Sequence, residues 1–87
     1  MSYSVLLHPD AIKYLDSLED RERKKCYETL KHLGENPYTS RPGCDIKKLM
    51  GKRKTVYRLR IGDYRFIYII KDDRIFVEDA FRRGRGY

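Results

Sequence analysis

Glutamine is absent from this 87-residue chain, and asparagine occurs once, at Asn36. Combined with 38% charged residues, that shortage of amides is a composition met where thermal stability matters. No apolar run approaches the roughly 18 residues needed to span a bilayer, which excludes a transmembrane helix. The start MSYSVLLHPD lacks the basic region and apolar core of a signal peptide, so a cytoplasmic location is expected. Cys26 and Cys44 form no C-x-x-C pattern and have only His8 and His32 as further soft ligands. A four-ligand zinc site is therefore not expected, and both cysteines read as reduced thiols. Glycine-rich phosphate loops, nucleophile elbows and usefully spaced carboxylate pairs are missing too, so no metal or cofactor is implied. His8, at a strand-to-helix junction, reads as structural, and His32, near a helix end, as a partner for the carbonyls there.

What the chain does have is positive charge: 20 Lys+Arg against 13 Asp+Glu, a formal net charge of +7. An anionic partner fits, such as nucleic acid or an acidic protein, and a membrane is disfavoured by the missing apolar run and signal peptide. The length allows one domain, residues 1–87, with one small core, and a surface rather than a deep cleft as the site.

Tyr3 to Leu7 alternates as a strand, and Pro9 then suits the first turn of a helix. Ala11, Ile12, Leu15 and Leu18 give that helix an apolar stripe, and a second, charged helix from Glu19-Asp20 carries Cys26, Leu30 and Leu33. Gly34 ends it and Asn36-Pro37 prevents resumption. After a loop over residues 38–45, Ile46 to Met50 fits a short strand or a turn, and the basic run Gly51-Lys52-Arg53-Lys54 follows. A hairpin and a last strand, Ile75 to Phe81, complete an α+β domain of order β-α-α-β-β-β. The helical hairpin covers one face of the sheet and leaves the other open.

The hairpin is YRLRIGDYRFIYII, Tyr57 to Ile70. Tyr57, Leu59 and Ile61 alternate onto one face, and Arg58 and Arg60 onto the other. With Gly62-Asp63 as a two-residue loop, Arg60 stands opposite Arg65, and Arg58 opposite Ile67. Facing like charges cost a hairpin up to about 1 kcal/mol. A third group, most simply an anion, is therefore expected between or above them, unless the side chains splay into solvent as a mere solvated face. Glu78 and Asp79 are candidate counter-ions. The tail RRGRGY, with Arg82, Arg83, Arg85 and Tyr87, can return beside the same face, joining guanidinium groups to an aromatic ring as single-stranded RNA or DNA requires.

Taken together, HPDAIKYLDSL, KKLMGKRKTVYRLRIGDYRFIYII and FRRGRGY resemble the RelE/ParE superfamily of toxins from type II toxin-antitoxin systems. The likeness spans essentially the whole chain, and RIGDYRFIY, similar to the family's R-x-G-x-Y-R-x-x-Y core behind a K-L-x-G, is its most specific part. The resemblance implies a helical hairpin on one face of a small, mainly antiparallel sheet. RelE-type members cut mRNA in the ribosomal A site, whereas ParE-type members inhibit DNA gyrase, and a shared fold does not choose between them.

The residues favour the RelE branch. By resemblance, the family's functional positions fall on Arg58, Arg60, Arg65, Arg83 and Tyr87, of which Arg60, Arg65, Arg83 and Tyr87 are expected to be catalytic; Arg58, with the basic residues Lys52, Lys54, Arg82 and Arg85, is expected to bind the RNA. Arg58 and Arg60 depart from a pattern that has lysines there. Arginine keeps its charge at physiological pH and serves electrostatic stabilisation, but it leaves the proton donor unassigned. Tyr87 would stack on a base or exchange a proton. The resemblance also implies a RelB-like acidic antitoxin as partner. A gyrase inhibitor of ParE type and a non-catalytic nucleic-acid-binding module are the alternatives.

Overall fold

The computed structural model describes residues 2–51 and 54–84. Lys52, Arg85 and Tyr87 lie outside them. Strand β1 (Ser4–Leu7) leads into helix α1 (Pro9–Asp16), then helix α2 (Asp20–Leu33), and strands β2 (Asp45–Met50), β3 (Thr55–Ile61), β4 (Tyr64–Lys71) and β5 (Arg74–Arg82) follow. The sheet order is β1-β5-β4-β3-β2, with β1 parallel to β5 and every other pair antiparallel. Ile46 to Met50 thus resolves as a strand, which gives the order β-α-α-β-β-β-β, one strand more than the sequence reading. Its adjacent lysines, Lys47 and Lys48, hide the period of two, and pairing with β3 supplies what the local pattern lacks.

The helices cover one face. Ala11 and Leu15 of α1 and Cys26, Leu30 and Leu33 of α2 pack on Leu59, Ile61, Phe66, Tyr68, Ile75 and Val77 of the sheet. Burying an aliphatic side chain of this size stabilises the fold by roughly 1.5–3 kcal/mol. Ile12 departs from the expected stripe, being 40% exposed, because Ala11 and Leu15 turn the helix inward on their own side. Among the described residues no helix is long and apolar enough to cross a membrane.

Local chemistry sets the joints. His8 caps α1, its Nδ1 accepting from the Asp10 N–H at 3.0 Å, with Pro9 in the first turn. Gly34 closes α2 in a right-handed conformation, so it is not there for a left-handed turn. A Cβ at Gly34 would meet the Tyr3 carbonyl oxygen at 3.1 Å and that of Lys31 at 3.2 Å. Glycine lets β1 pass close enough for the Tyr3 N–H to reach the Gly34 carbonyl at 2.8 Å. The α2 carbonyl expected for His32 is taken by another side chain: Arg41 donates to the carbonyls of His32, Asn36 and Thr39, while the His32 ring pairs with Glu35. Tyr68 donates to the Pro37 carbonyl at 2.7 Å and stacks on Tyr57 at 5.4 Å, and Tyr57 meets Tyr38 edge-on. These rings tie the loop after α2 to the sheet.

Candidate nucleic-acid interface

The open face of the sheet is built from the β3–β4 hairpin. Gly62 adopts φ +58°, which glycine reaches without penalty, and the two-residue loop fixes the register. Ile61 pairs with Tyr64, Arg60 with Arg65, Leu59 with Phe66 and Arg58 with Ile67, as the sequence reading has it. Leu59, Ile61 and Phe66 are buried under the helices, so Arg58, Arg60 and Arg65 belong to the uncovered face.

Arg83 joins them from the end of β5. Its N–H donates to the Asp63 carbonyl at 2.6 Å, pinning this part of the tail to the hairpin turn. Arg58, Arg65 and Arg83 then line one cavity of about 310 Å³ together with Lys47, Leu49, Ile67 and Phe81. Burial first, and then the charges of Arg60, Arg58 and Arg83, push the Arg65 guanidinium below its usual pKa, with Asp63 opposing. Arg65 therefore lies within the field of the other three arginines.

The anion paired with them is Asp45, on β2, which meets Arg60 and Arg58 from the β2 side rather than standing between Arg60 and Arg65 as expected. It pairs with Arg60 across the β2–β3 register, with Oδ2 3.6 Å from Arg60 Nε and Oδ1 3.4 Å from Arg58 Nη2. Glu78 and Asp79 take other partners. A β-bulge lies in the β4–β5 pair, where Ile67 faces Asp79 and Tyr68 faces Val77, leaving Glu78 as the extra residue. Glu78 reaches Lys54 at 3.2 Å, and Asp79 accepts from its neighbour's Ala80 N–H at 2.9 Å. Arg65 leans on backbone instead, donating to the carbonyls of Gly62 at 2.9 Å and Tyr64 at 3.2 Å.

Not every expected residue converges. Lys54 lies six residues from Arg60, about 20 Å away at the rise of a strand, with its ammonium on Glu78. Arg82 pairs with Tyr64, whose ring meets Tyr14 of α1, which places it on the helix side of the sheet. Lys47 and Asp45 are members the sequence reading missed. Both share the parity of Arg58 and Arg60 once β2 is recognised as a strand.

The sequence model of the family described as "ParE toxin of type II toxin-antitoxin system, parDE" matches residues 5–86. RelE1 of Methanocaldococcus jannaschii is 36% identical over 87 residues, covering 99% of this chain and 94% of its own length. The RelE–RelB complex of Pyrococcus horikoshii OT3 holds a chain with TM-score 0.82 and 34% identity, covering 99% of this chain and 100% of that one. The isolated RelE toxin of E. coli has the same fold, with TM-score 0.76 at 21% identity, over 98% of this chain and 88% of that one. The chain belongs to the RelE/ParE family of toxins from type II toxin-antitoxin systems, and its likeness to structures of RelE and its complexes places it with the RelBE type.

Proposed function

We propose that this protein is a ribosome-dependent endoribonuclease that cuts translated mRNA in the ribosomal A site in the cytoplasm. The observation that carries the reading is the gathering of Arg58, Arg65 and Arg83 around one cavity, with Arg60 facing Arg65. An RNA 2′-hydroxyl attacks the adjacent phosphorus, the bond from phosphorus to the 5′-oxygen breaks, and the charge that grows on the phosphoryl oxygens is met by Arg65 and Arg83. Arg58 and Arg60 orient the RNA backbone, and Arg60 helps to neutralise the leaving oxygen. Lys47 adds charge at the rim. Arginine does not serve as a proton acceptor at physiological pH, so the ribosome completes the acid-base geometry and free RNA is cut poorly. Tyr87 stacks on a base or exchanges a proton, while Lys52 and Arg85 add backbone contacts.

A RelB-like acidic antitoxin silences the toxin in this reading, supported by the RelE–RelB complex of P. horikoshii OT3. The match to a family described by ParE toxins favours gyrase inhibition as the second reading. Primer extension on mRNA during induced expression separates the two. Discrete cuts inside translated codons support the endoribonuclease, gyrase-dependent DNA breaks with intact mRNA support the ParE reading, and bound but uncut RNA points to a non-catalytic module.

A further inference from the structure

We propose that Asp45 is a positioning residue of this site, holding Arg58 and Arg60 in a fixed pose before RNA arrives; the catalytic part of the proposal rests on the endoribonuclease reading. One carboxylate divides its two oxygens between two guanidinium groups, 3.4 Å from Arg58 Nη2 and 3.6 Å from Arg60 Nε. Arg58 and Arg60 are two residues apart on β3 and share a face, and Asp45 sits across from Arg60 on the neighbouring strand. The attachment is to the rigid sheet on both sides.

The direction of the pull matters. Asp45 draws Arg60 toward β2, while Arg65, its opposite number on β4, is drawn to the carbonyls of Gly62 and Tyr64. The protein thus holds each of the two facing guanidiniums by acceptors of its own, Arg60 from β2 and Arg65 at the hairpin turn. Arg58 depends on Asp45 for another reason. Its Nε is buried without a hydrogen-bond partner, so the contact through Nη2 is what orients its planar head. Without a counter-charge, flexible like-charged side chains spread over many rotamers, and that ordering would have to be recovered during the reaction.

Simple competition with RNA is the rival account, and the two differ in sign. The Asp45 carboxylate is 50% exposed, and its distances exceed the 2.7–2.9 Å of a tight charge-assisted bond. A mere competitor, once neutralised, would leave tighter binding and undiminished turnover. A positioning residue, once neutralised, leaves binding equal or tighter and turnover slower.

The test uses the full chain, its Asp45→Asn variant and the charge-keeping Asp45→Glu variant. Arginine Nε–Hε signals are read by NMR without RNA, affinity is read with a fluorescent single-stranded RNA oligonucleotide, and single-turnover cleavage is read on mRNA-programmed ribosomes. In Asp45→Asn the Arg58 and Arg60 signals should broaden or merge, the oligonucleotide should bind equally or up to about threefold more tightly, and cleavage at saturating toxin should slow by about tenfold or more. Asp45→Glu should recover part of the rate, and the melting temperature should barely move. Unchanged arginine signals, or wild-type turnover in Asp45→Asn, overturn the proposal. If the wild-type protein cuts no mRNA, the endoribonuclease reading fails, and the NMR comparison still decides whether Asp45 holds the arginines.

Discussion

Arg60 stands directly opposite Arg65 in the β3–β4 register, yet each guanidinium is satisfied elsewhere, Arg60 by the Asp45 carboxylate and Arg65 by the carbonyls of Gly62 and Tyr64. Repulsion between facing like charges is thereby tolerated in the protein.

Arg65→Ala should abolish growth arrest while keeping the fold. Two bonds to carbonyls are lost, one exposed and one part-buried, each contributing about 1 kcal/mol, and the relief of repulsion with Arg60 offsets up to about 1 kcal/mol of that. The unfolding free energy should therefore fall by about 1–2 kcal/mol, as read by urea titration beside a growth assay. A variant that melts outright would make Arg65 a structural residue.

Lys54 and Arg83 should behave differently toward RNA although both were expected to bind it. Arg83→Ala should weaken single-stranded RNA binding by roughly three- to tenfold and lower the slope of log affinity against log salt by about 0.7. Lys54→Ala, which removes a charge already paired with Glu78, should shift affinity by less than about twofold. Equal effects in a salt titration would show that overall charge, rather than the cavity, recruits RNA.

Asp72 is the only non-glycine with positive φ among the described residues, at +56° in the β4–β5 turn. Asp72→Gly should relieve about 1–2 kcal/mol of strain against a backbone-entropy cost of about 0.5–1 kcal/mol. A rise of about 3–5 °C in melting temperature is expected by calorimetry. A fall would show that the aspartate side chain stabilises the turn by more than its backbone strain costs.

Stability should decline in alkali. Burial first, and then the charge of Glu22, push the Cys26 thiol from 9.0 up to about 11, with Lys25 opposing. A group whose native pKa exceeds its unfolded value keeps its full stabilising effect below pH 9 and loses it as pH climbs toward 11. The loss is at most about 3 kcal/mol, and Tyr68, raised by burial, extends the trend upward. Urea midpoints measured from pH 8 to pH 11 should fall, and Cys26→Ala should flatten the curve over that window. A wild-type profile already flat there would contradict a buried thiol at this position.

The hairpin was legible because two local rules over-determine it. Alternation assigns the faces of Tyr57 to Ile61, and the Gly62-Asp63 loop fixes which residues meet. The helices were legible from Pro9, from Gly34 and from the stripe of Cys26, Leu30 and Leu33. Asp45 was not, because it takes its place only through strand pairing: Lys47-Lys48 conceals β2, and without β2 the aspartate reads as loop. The bulge at Glu78 hid the rest. It shifts the parity of β5, so counting alternate residues from Ile75 cannot tell which of Arg82 and Arg83 joins the arginines. Arg41 escaped notice because its carbonyl partners gather only when the loop folds back on α2.

The strand order has a consequence for when the arginine face is completed in the life of the molecule. β5 is synthesised after the other four strands, yet it lies between β1 and β4, and β1 must wait for it across some seventy residues to pair Ser4 with Arg74. Closing so long a loop comes late in assembly, since the entropy of joining distant segments is met before their contacts form. A nascent chain truncated before Arg74 has no partner for β1 and leaves β4 as a bare edge. Its hairpin arginines then sit on an unfinished sheet, so the arginine-lined face is complete only when the sheet's interior strand has been made.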